Sequence, residues 1–169
     1  MAVSNHAARR YPAAIGPLSG FGRHSAENWE ALRALAGPGG VMVLFCTEAP
    51  APSQEWTFIR GGLLTQMVCD QPHRVPIKLT RGEELRPLTA DDVPAMVALA
   101  KLTEPGPFRE RTHELGAFFG IFESGHLVAM AGERLQLPRY VEVSAVCTHP
   151  NARGRGYARL LIATVMELV

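Results

Sequence analysis

The stretch that decides the fold runs from residue 140 to residue 169, YVEVSAVCTHPNARGRGYARLLIATVMELV. Its first part, 140–148, is mostly β-branched or small and apolar, which predicts a strand. The alternation of side chains places four of them on one face of that strand: Val141, Val143, Ala145 and Cys147. His149-Pro150-Asn151 ends the strand, because proline has no N–H to donate to a ladder. From Tyr157 onward the chain is apolar nearly all round, which predicts a buried helix.

A glycine-bearing turn, Arg153-Gly154-Arg155-Gly156, joins this strand to this helix. Two glycines let the backbone approach a ligand closely, because no Cβ stands in the way. The N–H groups of residues 154–158 point out of the helix start, and with the positive end of the helix dipole they form an anion site. The two arginines add positive charge, so the predicted ligand is a phosphate or pyrophosphate. The alternative is a structural turn with two solvated arginines.

The turn matches neither of two common phosphate-binding fingerprints. A P-loop requires Gly-Lys-Ser/Thr after its glycines, and a dinucleotide fold requires Gly-x-Gly-x-x-Gly. The run Arg153-Gly154-Arg155-Gly156-Tyr157-Ala158 instead resembles the Arg/Gln-x-x-Gly-x-Gly/Ala signature of the GNAT acetyltransferase superfamily. The preceding strand, which ends in Val146-Cys147-Thr148-His149-Pro150, fits the same family. The resemblance covers residues 82–169.

The resemblance implies acetyl-CoA as the co-substrate. In the family the turn holds the pyrophosphate, which here implies Arg153, Gly154, Arg155, Gly156, Tyr157 and Ala158. The strand offers backbone groups to the pantetheine arm and to the thioester carbonyl, which here implies Val146, Cys147 and Thr148. The implied reaction is direct attack by a primary amine of a small molecule or peptide. A non-catalytic acyl-CoA-binding or assembly module is the alternative, and a nucleotide-binding protein that uses the same turn is a third interpretation.

The strand also carries the candidate general base. Glu142 lies eleven positions before Arg153, and family members that use a glutamate base carry it at the matching place. Burial raises the pKa of a carboxylate, which could then take the amine proton directly or through water. The alternative is a strand-face glutamate paired with Arg134 or Arg139. Glu133 on the neighbouring strand is the second candidate base.

Residues 81–169 predict an α/β (α+β) domain whose sheet is mixed, mostly antiparallel and flanked by helices. Residues 85–88 form a short edge strand, since Pro87 does not suit a central position. Asp91 caps a helix that ends near Glu104, and strands over 117–122 and 127–135 lead into the strand at 140. In the resembled family the segment after this helix borders the acceptor site, against the alternative of a solvated connection. That segment contains Phe108, Arg109, Arg111, Thr112 and His113.

Residues 1–80 predict a small α/β accessory region without a catalytic constellation. An irregular arm over 1–24 precedes a helix that Ser25 caps and that Gly37-Pro38 ends after about residue 36. Three apolar runs predict strands: 41–45, 56–59 and 63–68, with a hairpin around Gly61-Gly62. Residues 71–76 predict an irregular link. The resemblance implies a degenerate half of the same fold, as in the branch related to glycine N-acyltransferases.

Composition limits the class of protein. A chain of 169 residues that is 47% hydrophobic is one domain, or one domain plus a partial one. A net charge of +1 gives no reason to expect nucleic acid or an anionic membrane as partner. The three cysteines form no CxxC pair and the six histidines lack metal-ligand spacing, so we expect reduced thiols, a cytoplasmic protein and no metal. No membrane-spanning or secretory apolar run is found.

The end of the sequence departs from the resembled family. A typical domain of that family continues with a strand, a helix and a closing pair of strands, which carry an Asn on the coenzyme and a Tyr that protonates the leaving thiolate. We therefore expect a domain that lacks its C-terminal part through truncation, and the alternative is a degenerate protein that another subunit completes. The apolar faces of residues 157–169 would then lack cover, which predicts aggregation, strand exchange or a homodimer.

Overall fold

The computed structural model describes residues 1–48, 50–51, 54–71, 79 and 82–168. Its internal contacts divide the chain into two units, Met1–Val68 and Cys69–Val169. The predicted boundary between residues 80 and 81 falls on residues outside those described, and most of the predicted link over 71–76 does too. Both therefore stay predictions.

The first unit is built on a short sheet and one helix. Strands β1 (Val3–Asn5), β2 (Ala8–Arg10) and β3 (Leu18–Phe21) form an antiparallel meander, and β4 (Val43–Leu44) pairs parallel to β3. Helix α1 (Ala26–Ala36) connects β3 to β4. As predicted, the Ser25 side chain accepts a hydrogen bond from the Asn28 N–H, and Gly37 ends the helix with φ 70°.

Three predictions for this unit are wrong. Residues 1–24 are not an irregular arm, because their short runs pair with one another as β1–β3. The strand over 41–45 shrinks to β4. Residues 56–59 and 63–68 form no strand, and Phe58 and Met67 are 73% and 88% exposed. Strand propensity reflects packing on a half-buried pleated surface, and within the described residues no strand pairs with this segment.

The second unit follows the predicted order of strand, helix, three strands and helix. It contains β5 (Glu84–Pro87), α2 (Val93–Thr103), β6 (Phe118–Glu123), β7 (His126–Leu137), β8 (Tyr140–Thr148) and α3 (Tyr157–Met166). The sheet order is β5-β6-β7-β8 and every neighbouring pair is antiparallel. Helices α1, α2 and α3 have 10 or 11 residues each, so no helix in the described part of the chain could cross a bilayer.

The start of α2 differs from the prediction. A 3-10 helix, Ala90–Asp92, precedes it, and Asp92 rather than Asp91 organises the entry. The Asp92 carboxylate accepts from the Thr89 N–H at 2.9 Å and from both terminal nitrogens of Arg86 at 2.7 and 2.8 Å. The Arg86 guanidinium, followed by the Thr89 backbone bond, holds the pKa of that carboxyl well below its usual range against the opposing effect of burial. This ion pair joins the edge strand β5 to the helix.

The two helices of this unit cover opposite faces of the sheet. One face packs α2 against β6–β8, through Met96, Ala100, Phe118, Met130 and Cys147. The other packs α3 against the same strands, through Ile121, Ala129, Ala131, Leu161 and Val165. In α3 the buried stripe is Tyr157, Leu161 and Val165, while its other described residues are partly or fully accessible. The all-round burial that the sequence predicts for this helix is therefore limited to one stripe.

A β-bulge in β8 changes which side chains of that strand lie on each face of the sheet, so simple alternation does not predict their positions. Met130 pairs with Cys147 and Gly132 pairs with Ser144, so one residue of β7 faces two residues of β8. The extra residue is Ala145, whose φ is 52°. Val143 consequently packs on the α3 face, whereas Ala145 and Cys147 pack on the α2 face. The prediction that Val143 shares a face with these two side chains is wrong.

Candidate coenzyme site and acceptor crevice

A cleft of about 490 Å³ opens where β8 ends and α3 begins. All but one of the residues predicted to hold the coenzyme line it. These are Val146, Cys147, Thr148, Arg153, Gly154, Gly156, Tyr157 and Ala158. The remaining one, Arg155, is directed elsewhere. Thr103 and Pro105, from the end of α2 and the residues after it, complete the lining on the other side.

The turn between β8 and α3 exposes the start of the helix to this cleft. A 3-10 helix, Pro150–Ala152, follows the strand, and Gly154 and Gly156 then take φ values of 78° and 82°. A side chain at either glycine would be strained at such an angle. The Leu160 N–H donates to the Gly156 carbonyl at 3.0 Å. The N–H groups of 157–159 lie before that bond, at the helix end that favours anions.

The two arginines of the turn have different surroundings. Arg153 lies along the cleft, where its Nε donates to the Thr148 carbonyl at 3.3 Å. Arg155 donates through Nη1 to the Glu123 carboxylate at 2.6 Å and through Nη2 to the Asn151 carbonyl at 3.1 Å. Arg153 is thus the cation of the turn that faces the cleft.

Tyr157 joins the cleft to a pair of carboxylates. Its ring lines the cleft, the residue is 4% exposed, and its hydroxyl lies 2.8 Å from Glu83 Oε1 and 2.6 Å from Glu123 Oε1. Burial first, and then the acceptance of its hydrogen bond by Glu123 and Glu83, raises the pKa of Tyr157 to about 12. The sequence analysis did not find Glu83 and Glu123. They are 74 and 34 positions away from Tyr157, and no local pattern connects them.

A smaller crevice adjoins the cleft at Pro105, which lines both. Ser144 and the bulge residue Ala145 line it from β8, and Arg134 lines it from β7. Of the predicted acceptor-side residues, Phe108 and Thr112 line this crevice. The crevice has a volume of only about 10 Å³, which is room for about one water molecule, so an acceptor that approached the cleft from this side would have to widen it.

The other predicted acceptor-side residues have local roles. Arg111 forms an ion pair with Glu114 on the protein surface, and His113 Nδ1 lies 3.0 Å from the Glu110 carbonyl. The Arg109 N–H donates at 2.7 Å to the hydroxyl of Thr112, which shapes the loop that carries the crevice wall. None of the three side chains Arg109, Arg111 and His113 is part of the crevice lining.

Both candidate bases are engaged in hydrogen bonds. Arg134 donates to the Glu142 carboxylate through Nε at 2.9 Å and through Nη2 at 2.5 Å, which is the ion pair that the sequence analysis left open. The Glu133 carboxylate accepts from the Ala117 N–H at 3.0 Å. Neither glutamate lines the cleft or the crevice, although Arg134, with a side chain only 11% exposed, lines the crevice. The role of either as a base stays a prediction.

The cysteine of the cleft is an inert thiol in this arrangement. Cys147 is buried, and burial raises the pKa of its thiol while a hydrogen bond with Thr103 and one with the Met130 backbone act in the opposite direction. A protonated thiol is a weak nucleophile and a weak metal ligand. Over the described ranges of the chain, no group of three or more His, Cys, Asp or Glu side chains could hold a metal ion.

Comparison with known proteins gives the family. Residues 83–169 match the model of the Acetyltransferase (GNAT) family. A crystal structure from Novosphingobium aromaticivorans, described as a candidate acetyltransferase of that family, is 34% identical over 98% of this chain and 72% of its own, with a TM-score of 0.77. A search of the curated proteins found no match.

Two more distant structures share part of the chain. The ribosomal-protein-S18-alanine N-acetyltransferase of Escherichia coli is 18% identical over 51% of this chain and 58% of its own, with a TM-score of 0.44. The N-acetylglutamate synthase of Neisseria gonorrhoeae, solved with coenzyme A and N-acetyl-glutamate, is 19% identical over 51% of this chain and 22% of its own, with a TM-score of 0.45. The family model covers the unit that carries the cleft, and the Novosphingobium structure matches along nearly the whole sequence. The chain therefore belongs to the GNAT acetyltransferase family.

Proposed function

We propose that this protein transfers an acetyl group from acetyl-CoA to a primary amine by direct attack. The observation that carries the proposal is the cleft between β8 and α3, which the residues of the acetyltransferase signature line. Family membership supports the reaction class. The acceptor, whether a small molecule or a peptide, stays open, as do the branch related to glycine N-acyltransferases, a homodimer and a cytoplasmic location.

The coenzyme would bind along the turn and the strand. Its pyrophosphate would lie against the N–H groups of residues 154–158, where the helix dipole and Arg153 favour negative charge. Its pantetheine arm would follow residues 146–148. Within the described residues β8 pairs only with β7, so the other edge of β8 is not covered by a strand of this sheet. An extended arm could hydrogen-bond there as a further strand does.

The reaction requires a nucleophilic amine and a polarised carbonyl. The amine lone pair attacks the thioester carbonyl carbon, the C–N bond forms, and the negative charge on oxygen is stabilised by backbone N–H groups of residues 146–148. Collapse of this intermediate breaks the C–S bond, and the amine gives up its proton to a base while the departing thiolate gains one. Glu142 is the proposed base, and it would have to leave or share its ion pair with Arg134 to accept that proton.

This same ion pair favours a second candidate function, a non-catalytic acyl-CoA-binding module. Both carboxylate oxygens of Glu142 accept from Arg134, so an incoming amine would have to compete with that ion pair for the carboxylate. Two variants separate the candidates, because both break the pair but only one removes the carboxylate. If Glu142 is the base, Glu142→Gln should lower turnover strongly with little effect on acetyl-CoA binding, whereas Arg134→Gln should retain more of the turnover. If neither wild type nor variants turn over any amine, the module is favoured.

Calorimetric titration with acetyl-CoA tests the binding step. Wild type should bind, and Gly156→Glu should not, because the new carboxylate lies at the anion site. Gly39→Glu is the matched control, since Gly39 also has a positive φ, 69°, and open space around it. ATP and NAD should not bind, and binding of either would favour the nucleotide-binding interpretation. A folded wild type that binds no acetyl-CoA would refute the proposal. Turnover is then measured as thiol release with a panel of amines that includes glycine and an N-terminal alanine peptide.

A further inference from the structure

The turn Arg153–Gly156, called the anion turn below, contains one arginine that faces away from the cleft. Arg155 lies between the two positive-φ glycines, yet its guanidinium is held by the Glu123 carboxylate at 2.6 Å and by the Asn151 carbonyl at 3.1 Å. Two different nitrogens make these two bonds, so the guanidinium bridges the end of β6 and the 3-10 helix before the turn. The geometry is that of a brace across the base of the turn.

Tyr157 completes the brace from the helix side. Its hydroxyl has one proton and two carboxylate oxygens within reach, on Glu123 and Glu83, so it donates to one of them at a time. Glu123 Oε1 is the shared atom, since it also accepts from Arg155. The same hydrogen bonds, from Tyr157 first and then from Arg155, keep the pKa of Glu123 below its usual range against the opposing effect of burial. Glu123 therefore stays charged near neutral pH.

We propose that Arg155, with Glu123 and Tyr157, positions the anion turn and is not itself a ligand of the coenzyme phosphates. This inference rests on the proposed function, because it concerns the same coenzyme site. The three side chains hold the first residue of α3, the turn and the end of β6 in one arrangement. The amide groups and Arg153 are then presented to the anion.

Charge supports a bracing role over direct phosphate contact. If Arg155 turned into the cleft, it would leave Glu123 without its guanidinium partner, while Glu123 and Glu83 both lie within hydrogen-bond distance of the Tyr157 hydroxyl. Two carboxylates would then oppose the binding of an anion at this turn. In its present place Arg155 compensates that charge while it fixes the backbone. Arg153 and Arg159 already line the cleft, so Arg155 is not needed there as a further cation.

The prediction is a loss of coenzyme affinity on removal of either end of the brace. Glu123→Gln and Arg155→Gln should each weaken acetyl-CoA binding by about tenfold or more, because a hydrogen bond to a charged group contributes about 1.5–3 kcal/mol and about 1.4 kcal/mol is tenfold in affinity. The double variant should be no weaker than the weaker single one, because both changes remove the same interaction. The KM for acetyl-CoA should rise while kcat stays within about twofold. Arg155→Lys should resemble Arg155→Gln, since one ammonium cannot span both acceptors.

Salt dependence separates a brace from a phosphate ligand. Arg153→Gln should flatten the dependence of the dissociation constant on salt concentration, because it removes a cation that faces the anion. The Glu123→Gln/Arg155→Gln double variant removes one charge of each sign and should leave that slope as in wild type. Arg33→Gln, which breaks an exposed Arg–Glu pair in the first unit, is the matched control and should change neither affinity nor slope.

The decisive result is the direction of the Glu123→Gln effect. Tighter binding by this variant would overturn the inference, because it would mean that a released Arg155 reaches the phosphates. Additive losses in the double variant, or a flattened salt slope in that variant, would overturn it too. Tyr157→Phe keeps the ring and should show a smaller loss in the same direction. Absence of binding by folded wild type would refute the proposed function and the inference together, whereas the other outcomes leave the proposed function standing.

Discussion

Leu161→Ala should lower the free energy of unfolding by about 3–4 kcal/mol. Leu161 is 0% exposed and packs between α3 and the sheet beside Ile121, Ala129 and Ala131. The change removes three carbons, and at about 0.8 kcal/mol each the lost transfer free energy is about 2.4 kcal/mol. Ala129 and Ala131 are too small to collapse fully into the space, so a cavity contribution brings the total into the range of about 3–4 kcal/mol.

The assay is urea unfolding followed by far-ultraviolet circular dichroism. Leu102→Ala is the matched control, because Leu102 lies in α2 and is 55% exposed, and it should change stability by no more than about 0.5 kcal/mol. If Leu161→Ala does not fold, Val165→Ala at the next buried position of α3 should still lose about 1–3 kcal/mol. Equal losses at Leu161 and Leu102 would refute the assignment of α3 to the core.

Three further predictions concern single side chains. Asp92→Asn should lower the free energy of unfolding by about 1–2 kcal/mol at pH 7. Because the pKa of Asp92 is depressed in the folded state, the stability advantage of wild type is full above about pH 4 and should shrink as the pH falls further. Unfolding curves measured at several pH values test this. Cys147 should react with iodoacetamide far more slowly than the exposed Cys46, because burial raises the pKa of the Cys147 thiol. Mass spectrometry of the labelled peptides measures both rates, and equal rates would contradict the burial of Cys147. Ala145→Gly should lower the free energy of unfolding less than Ala129→Gly does in the same denaturation assay. The reason is that glycine adopts a positive φ without the strain of about 1 kcal/mol that alanine has there. Equal losses would argue against the bulge at Ala145.

Local chemistry made the second half of the chain predictable. Each element of that half has its signal within a few neighbouring residues: runs of apolar residues in β6–β8, and the glycines that precede α3. The Ser124-Gly125 turn between β6 and β7 is of the same kind, with φ values of 48° and 78°. The placement of the cleft followed from these elements, because a helix start after a strand end always presents N–H groups there.

The features that escaped prediction depend on contacts distant in sequence. Alanine is an ordinary strand residue, so nothing in the sequence marked Ala145 as the site of a bulge with positive φ. Glu83 and Glu123 come together at the Tyr157 hydroxyl only in the folded structure, because they are far from it and from each other in sequence. In the first unit, residues 56–68 have strand-forming side chains without a strand partner, whereas the polar arm over 1–24 finds partners within itself.

The bulge divides the side chains of β8 between the crevice and the cleft. Without it, residues 144, 146 and 148 would share one face of β8, and a single side-chain row would run from the crevice to the cleft. The extra residue instead gives Ser144 and Ala145 to the crevice and leaves Val146 to the cleft, with Pro105 at the border of both. A bulge also interrupts the ladder of hydrogen bonds with the neighbouring strand, which makes backbone N–H groups available for a developing oxyanion. The thioester carbonyl of a bound coenzyme and the amine of an acceptor would therefore meet at the point where the strand is irregular, and the positive φ of Ala145 is the backbone strain that this meeting point costs.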